Sequence, residues 1–174
     1  MITIVPYVEL EGIYTVPDET VKAVFFKMHL DGTWGTVFYD GLTNTPEDFI
    51  ALLRSPMNYP VFVLVDGIVG GVAWLNELRN NHGTAHFVVF KEHWGKNSTA
   101  MGKEVLQYWF SFKHEDGKPV FDVILGVTPS EYKPAIRFVT SLGFRVVGEV
   151  PKVIYNAYTK TNSNAVLSYC ERAA

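Results

Sequence analysis

The chain has 174 residues, 48% hydrophobic and 14% aromatic, which suits one domain with a substantial core spanning residues 1–174. Its formal charge of −3 argues against a general nucleic-acid binder, which carries a basic face. The single cysteine, Cys170, excludes an internal disulfide and a four-cysteine zinc site.

The N-terminal run MITIVPYVELEG has no basic leader, so the expected location is the cytoplasm. Within it, Thr3–Leu10 reads as a first strand. Pro17–Leu30 reads as a helix, with Val21, Val24, Phe25 and Met28 at helical spacing. A glycine- and aromatic-rich loop follows, carrying Asp31, Trp34, Phe38, Tyr39 and Asp40. Such loops often border a binding site, and packing alone also explains one. Thr45–Ser55 is a second helix, with Thr45 as N-cap, Pro46 at its first position and acids in its first turn.

The most apolar stretch, Tyr59–Leu75, is broken by Asp66 and by glycines, so no membrane span is expected. It reads instead as two strands joined at Asp66-Gly67, a strong hairpin signal. The turn Asn80–Gly83 leads into a third strand, Thr84–Glu92. The five histidines, at 29, 82, 86, 93 and 114, show no metal-binding spacing, so no metal site is expected.

His93–Phe110 is a helix with an unusual start: glycine, lysine, asparagine, serine and threonine precede a bulky apolar body. Small residues at a helix N-terminus let an anion approach free N–H groups. The same residues also suit a plainly capped helix. The apolar body packs on a sheet through residues 101, 105, 109 and 112. Its other aromatics need a cover, from the N-terminal helices or from a second copy in a homodimer. Pro119–Pro129 is a buried strand and Ser130–Gly143 a helix. Two final strands flank the polar turn Thr159–Asn164.

The run WGKNSTA resembles the acyl-CoA-binding motif of the GNAT (GCN5-related N-acetyltransferase) superfamily, in its W-G-K-G-[YF]-A variant. Trp94, Gly95 and Lys96 match; Asn97 stands at the second glycine and Thr99 at the small residue. YKPAIRFVTSLGFRVVG resembles the second motif through Ala135, Ile136, Phe138, Gly143 and Phe144. Val139 stands where that motif has its tyrosine, and Tyr132 where it has asparagine. The likeness runs from about Val61 to Gly148 and marks a divergent member.

The resemblance implies an α/β fold: a mixed, splayed sheet of about six to seven strands flanked by about four helices. It implies acetyl-CoA as cosubstrate, held by backbone groups of Phe87, Val88, Val89 and Phe90 and by Gly95, Lys96, Asn97, Ser98, Thr99 and Ala100. An oxyanion donor would come from an amide in Val88–Phe90. The expected activity is acetyl transfer to an amine, on a small molecule or a peptide, by direct attack in a ternary complex. His86 is the first choice of base and Glu77 the second, while Tyr132 could serve the departing thiolate. Each also has a plain structural reading: a core histidine, a solvated edge carboxylate and a surface aromatic. Two alternatives stay open: a GNAT-fold protein that binds CoA or a partner without turnover, and an interaction protein that uses exposed aromatics.

Overall fold

The computed structural model describes residues 1–173. The first strand is shorter than its apolar run. β1 (Ile2–Pro6) pairs with the sheet, and the chain then leaves it for a small hairpin of β2 (Glu9–Leu10) and β3 (Ile13–Tyr14). The exit follows from Tyr7, which turns inward and packs its ring against Phe62 at 5.6 Å and Tyr14 at 4.9 Å.

α1 (Asp18–Asp31) buries Val21, Val24, Phe25 and Met28, and ends at Gly32 in the left-handed region, φ 72°. The loop expected next contains a single helical turn, α2 (Trp34–Val37), closed by the Phe38 N–H on the Trp34 carbonyl at 2.9 Å. Its internal Gly35 lowers helix propensity, which hides the turn from a sequence reading. α3 (Pro46–Arg54) starts with a capping box. The Asp48 N–H donates to Thr45 Oγ1 at 3.1 Å, and the Thr45 N–H donates to Asp48 Oδ2 at 2.9 Å.

β4 (Tyr59–Val65) and β5 (Ile68–Arg79) form the expected hairpin, with Asp66 at φ 51° and Gly67 at φ 84°. β6 (His82–Val89) follows, then a 3-10 turn at Lys91–His93 and α4 (Ser98–Phe110). β7 (Val123–Pro129) starts later than expected. Pro119 lacks an N–H, the Val120 amide donates back to Phe112 O, and Phe121 plugs the core beside Tyr59 and Phe112. α5 (Lys133–Ser141), β8 (Arg145–Asn156) and β9 (Thr161–Glu171) complete the order, so β9 begins inside the segment read as a polar turn.

The seven-stranded sheet runs β1-β4-β5-β6-β7-β9-β8, and β6 with β7 is its parallel pair. Each face carries a core. On one, Phe25, Met28, Phe49, Leu53, Phe62 and Trp74 pack under α1 to α3. On the other, Met101, Val105, Trp109, Ile124, Leu142 and Phe144 pack under α4 and α5. Burying each such side chain stabilises by about 2 kcal/mol. The N-terminal helices therefore lie across the sheet from α4 and do not cover it. α4 is covered by α5 and by strands β1 and β4.

Candidate functional site

β6 and β7 are bonded only at their starts, His82–Thr84 against Val123–Leu125. Beyond that point β6 stays with β5 through Val89, and β7 stays with β9 through Pro129. The two strands diverge, and the wedge between them is a cavity of about 680 Å³. The ring of Phe138, from α5, stands edge-on to Phe87 at 5.5 Å in its wall.

Backbone parity shows which groups face the wedge. The Phe90 N–H donates to Gly70 O at 2.9 Å, on the β5 side. Successive strand residues point their amides in opposite directions, so Val88 also faces β5, whereas Phe87 and Val89 face the opening. The Val89 carbonyl there accepts the indole N–H of Trp94 at 2.7 Å. Of the amides from Val88 to Phe90, that of Val89 is therefore the one that faces the opening. Phe90 is buried and does not reach the cavity; Lys27 Nζ stands over its ring at 5.2 Å.

The start of α4 lies at the same cavity. Asn97, its N-cap residue, makes no side-chain cap and points its Nδ2 at His93 Nδ1, 3.2 Å away. The N–H groups of Ser98, Thr99 and Ala100 have no partner among the described residues. Trp94, Gly95, Ser98 and Thr99 line the cavity; Lys96, Asn97 and Ala100 do not. Asn97, at the position of the motif's second glycine, has right-handed backbone (φ −111°). The left-handed residue is Gly95, φ 68°.

Three elements meet at the other end. His86 lines the wall, stacked on Trp74 with ring centroids 5.0 Å apart, and its Nε2 lies 3.0 Å from Asn76 Oδ1. With Asn76 accepting, Nε2 carries the hydrogen and Nδ1 keeps its lone pair. Desolvation pushes the imidazole pKa down to about 4, outweighing the Glu77 and Asp40 carboxylates, which act in the opposite direction. Tyr132, just before α5, lines the cavity and is raised by burial. Tyr39 is a lining residue that the sequence offered only as one loop aromatic among three, and burial raises it as well. Its companions are structural: Phe38 is buried in the core, and Trp34 stacks on His29 at 4.5 Å. Glu77 is exposed outside the lining, and its Oε2 accepts from Thr84 Oγ1 at 2.9 Å. Asp31 is likewise spent on Lys27 and on the Lys91 N–H.

No family model matches the chain, and no curated protein matches its sequence. Solved structures do match its shape. An acetyltransferase from Salmonella typhimurium that modifies the N-terminal serine of a 50S ribosomal subunit protein superposes with a TM-score of 0.75 at 9% identity, covering 99% of this chain and 95% of that one. A GNAT-family acetyltransferase from Bacillus anthracis gives 0.71 at 15% identity, with 98% and 94% covered. Spermidine N-acetyltransferase from Vibrio cholerae, solved with CoA and spermine, gives 0.69 at 12% identity, with 98% and 95% covered. The chain has the GNAT fold.

In this GNAT fold the position of the second-motif tyrosine is filled by Val139, buried and lining the cavity, with no group to donate or accept a proton. Residues that sequence reasoning left out also line the wedge, among them Arg137 and Phe144. The second-motif match was the signal for them, since Phe144 belongs to that motif and Arg137 lies within it. Among the described residues no group of His, Cys, Asp and Glu could hold a metal, and no helix is long and apolar enough to cross a membrane.

Proposed function

We propose that the chain is an acetyl-CoA-dependent N-acetyltransferase that acts by direct attack in a ternary complex. The observation that carries this reading is the joining, in one cavity, of the β6–β7 wedge and the unpartnered N-terminus of α4. A volume of about 680 Å³ suits a small-molecule site. The N–H groups of Ser98, Thr99 and Ala100 would hold a pyrophosphate, and the small size of Gly95, Ser98 and Thr99 lets it approach. The Phe87 and Val89 backbone groups would line the pantetheine arm. Acetyl-CoA supplies an activated thioester carbonyl.

Residues of the chain serve the remaining needs. The Val89 N–H faces the opening and would stabilise the oxyanion. His86 is uncharged at pH 7, so it is ready to take the proton that the acceptor nitrogen loses on attack. An ammonium entering the same desolvated site is also pushed toward its neutral form, which brings donor and base closer in strength. Tyr132 keeps its hydroxyl proton at neutral pH and would donate it to the departing thiolate.

Val139 favours a second reading, a GNAT-fold protein that binds CoA without turnover. Calorimetry with acetyl-CoA, with Thr99→Glu as control, tests the donor site: saturable binding abolished in the variant supports it, and absence of heat or thermal stabilisation at millimolar ligand rejects it. An amine screen on the wild type then separates the readings. Thiol release supports the enzyme, and binding without release supports the binding module.

A further inference from the structure

β5 holds His86 from two directions. Across the β5–β6 pair Trp74 stands opposite His86 and Asn76 opposite Thr84, so the four side chains share one face of the sheet. Trp74 is buried and lies parallel to the imidazole, with 5° between the planes, which fixes the plane of the ring. Asn76 fixes its rotation, with Oδ1 3.0 Å from Nε2. Asn76 is the last residue of β5 in regular register, before the shift at which Glu77 takes φ 49°. Nδ1 makes no hydrogen bond among the described residues. It is not a buried orphan either, since the buried side-chain atom without a partner is Trp109 Nε1. Nδ1 therefore opens on the cavity that His86 lines. The charged groups nearby do not bond the ring. Glu77 Oε2 accepts from Thr84 Oγ1 at 2.9 Å, and Asp40 Oδ1 accepts from the Leu42 N–H at 3.0 Å. Tyr39, Glu131 and Tyr132 line the same cavity with no hydrogen bond to the imidazole.

Resting on the acetyltransferase reading, we infer that Asn76 is a positioning residue for proton removal: its amide oxygen holds the Nε2 hydrogen, which leaves Nδ1 as the nitrogen that takes the acceptor's proton. The uncharged amide suits both states of the ring. It accepts from Nε2 when the imidazole is neutral and continues to do so when Nδ1 gains a proton. A carboxylate in its place would favour the cation and retain the proton. The neutral partner therefore acts in the same sense as the desolvation that lowers the His86 pKa. The proton balance closes. As the acceptor nitrogen bonds to the acetyl carbon, its proton passes to Nδ1. The C–S bond breaks, and the thiolate takes the Tyr132 proton. The imidazolium and the phenolate then exchange a proton through solvent, which restores both residues.

The test reads the ring nitrogens by NMR in protein carrying isotope-labelled histidine, the His86 signals being assigned by their loss in His86→Gln. The wild type should show Nε2 protonated and Nδ1 bare at pH 7. Asn76→Asp should raise the midpoint of ring protonation by at least about one pH unit, the effect of an adjacent opposite charge. The acid limb of kcat, measured at saturating acetyl-CoA with the best acceptor from the amine screen, should rise with it. Asn76→Ala should mix the two tautomers and lower kcat at least about tenfold, with KM for acetyl-CoA unchanged. A wild-type ring protonated at Nδ1 overturns the inference, and that measurement needs no variant of Asn76 to fold. Full kcat in Asn76→Ala, or an unmoved limb in Asn76→Asp, overturns it as well once circular dichroism shows the variant folded. Acetyl-CoA binding without turnover by the wild type overturns it too, leaving the donor site intact. Absence of acetyl-CoA binding removes the acetyltransferase reading and this inference together.

Discussion

The Trp94 indole and the Val89 carbonyl meet across 2.7 Å at the mouth of the wedge, so the free edge of β6 is partly capped by the residue that opens the α4 loop. Trp94 is half exposed and lines the cavity, whereas Trp109 is fully buried with its N–H unpartnered. Of the four tryptophan indole N–H resonances, that of Trp94 should shift on titration with acetyl-CoA while that of Trp109 stays in place. Trp94→Phe should cost about 1 kcal/mol in urea unfolding, the net worth of one hydrogen bond. A stationary Trp94 resonance under saturating ligand would disprove its place at the donor site.

His86 should make the protein acid-sensitive at an unusually mild pH. Its folded pKa, about 4, lies below the unfolded value near 6.5. The unfolded state binds the extra proton between those values, so stability is full above pH 6.5 and falls as pH drops toward 4. The loss amounts to about 3 kcal/mol over that window. His86→Gln should flatten this part of the stability–pH curve in chemical denaturation, and an unchanged slope would refute the assignment.

Asp31 should show a separate, more acidic transition. Burial pushes its carboxyl up, yet hydrogen bonds from Lys27 and the Lys91 N–H hold it below the ordinary value. Its stabilisation is present above the unfolded pKa and is lost as pH falls through the folded one. Asp31→Asn should cost about 2 kcal/mol at pH 7, the scale of hydrogen bonds to a charged group. It should also weaken acetyl-CoA binding, because Lys91 opens the 3-10 turn that leads to Gly95. Differential scanning fluorimetry and calorimetry read the two effects.

Gly71→Ala should destabilise although alanine is the better ordered residue. A Cβ there would sit 2.4 Å from the Val88 carbonyl oxygen, a backbone atom that cannot swing aside. β5 and β6 must separate to admit it, at a cost of about 3 kcal/mol. A thermal midpoint equal to that of the wild type would show that the strands yield more easily than close packing allows.

What the sequence made legible was local. The Asp66-Gly67 hairpin and the Thr45 N-cap depend on residues within a few positions, and each formed as read. Non-local features were harder to read. The wedge depends on β6 and β7 parting after three residue pairs, and nothing within either strand specifies that. The choice of Tyr39 over Phe38 as a lining residue depends on the phase of one helical turn that Gly35 disguises. Glu77 looked available as a base because a strand-end carboxylate is usually solvated. Its positive φ of 49°, at a register shift, helps to take it out of the cavity.

The sheet order carries a consequence for how the molecule is made. β9, the last strand, lies between β7 and β8. The far edge of β7 therefore waits for the last-made residues of the sheet, and until they arrive it is an open template for pairing with another chain. Folding that must insert such a late strand between two others is slow and exposes β7 to aggregation during synthesis. The wedge is held on one side by the same β7–β9 ladder, so its β7 wall is fixed only once β9 has paired.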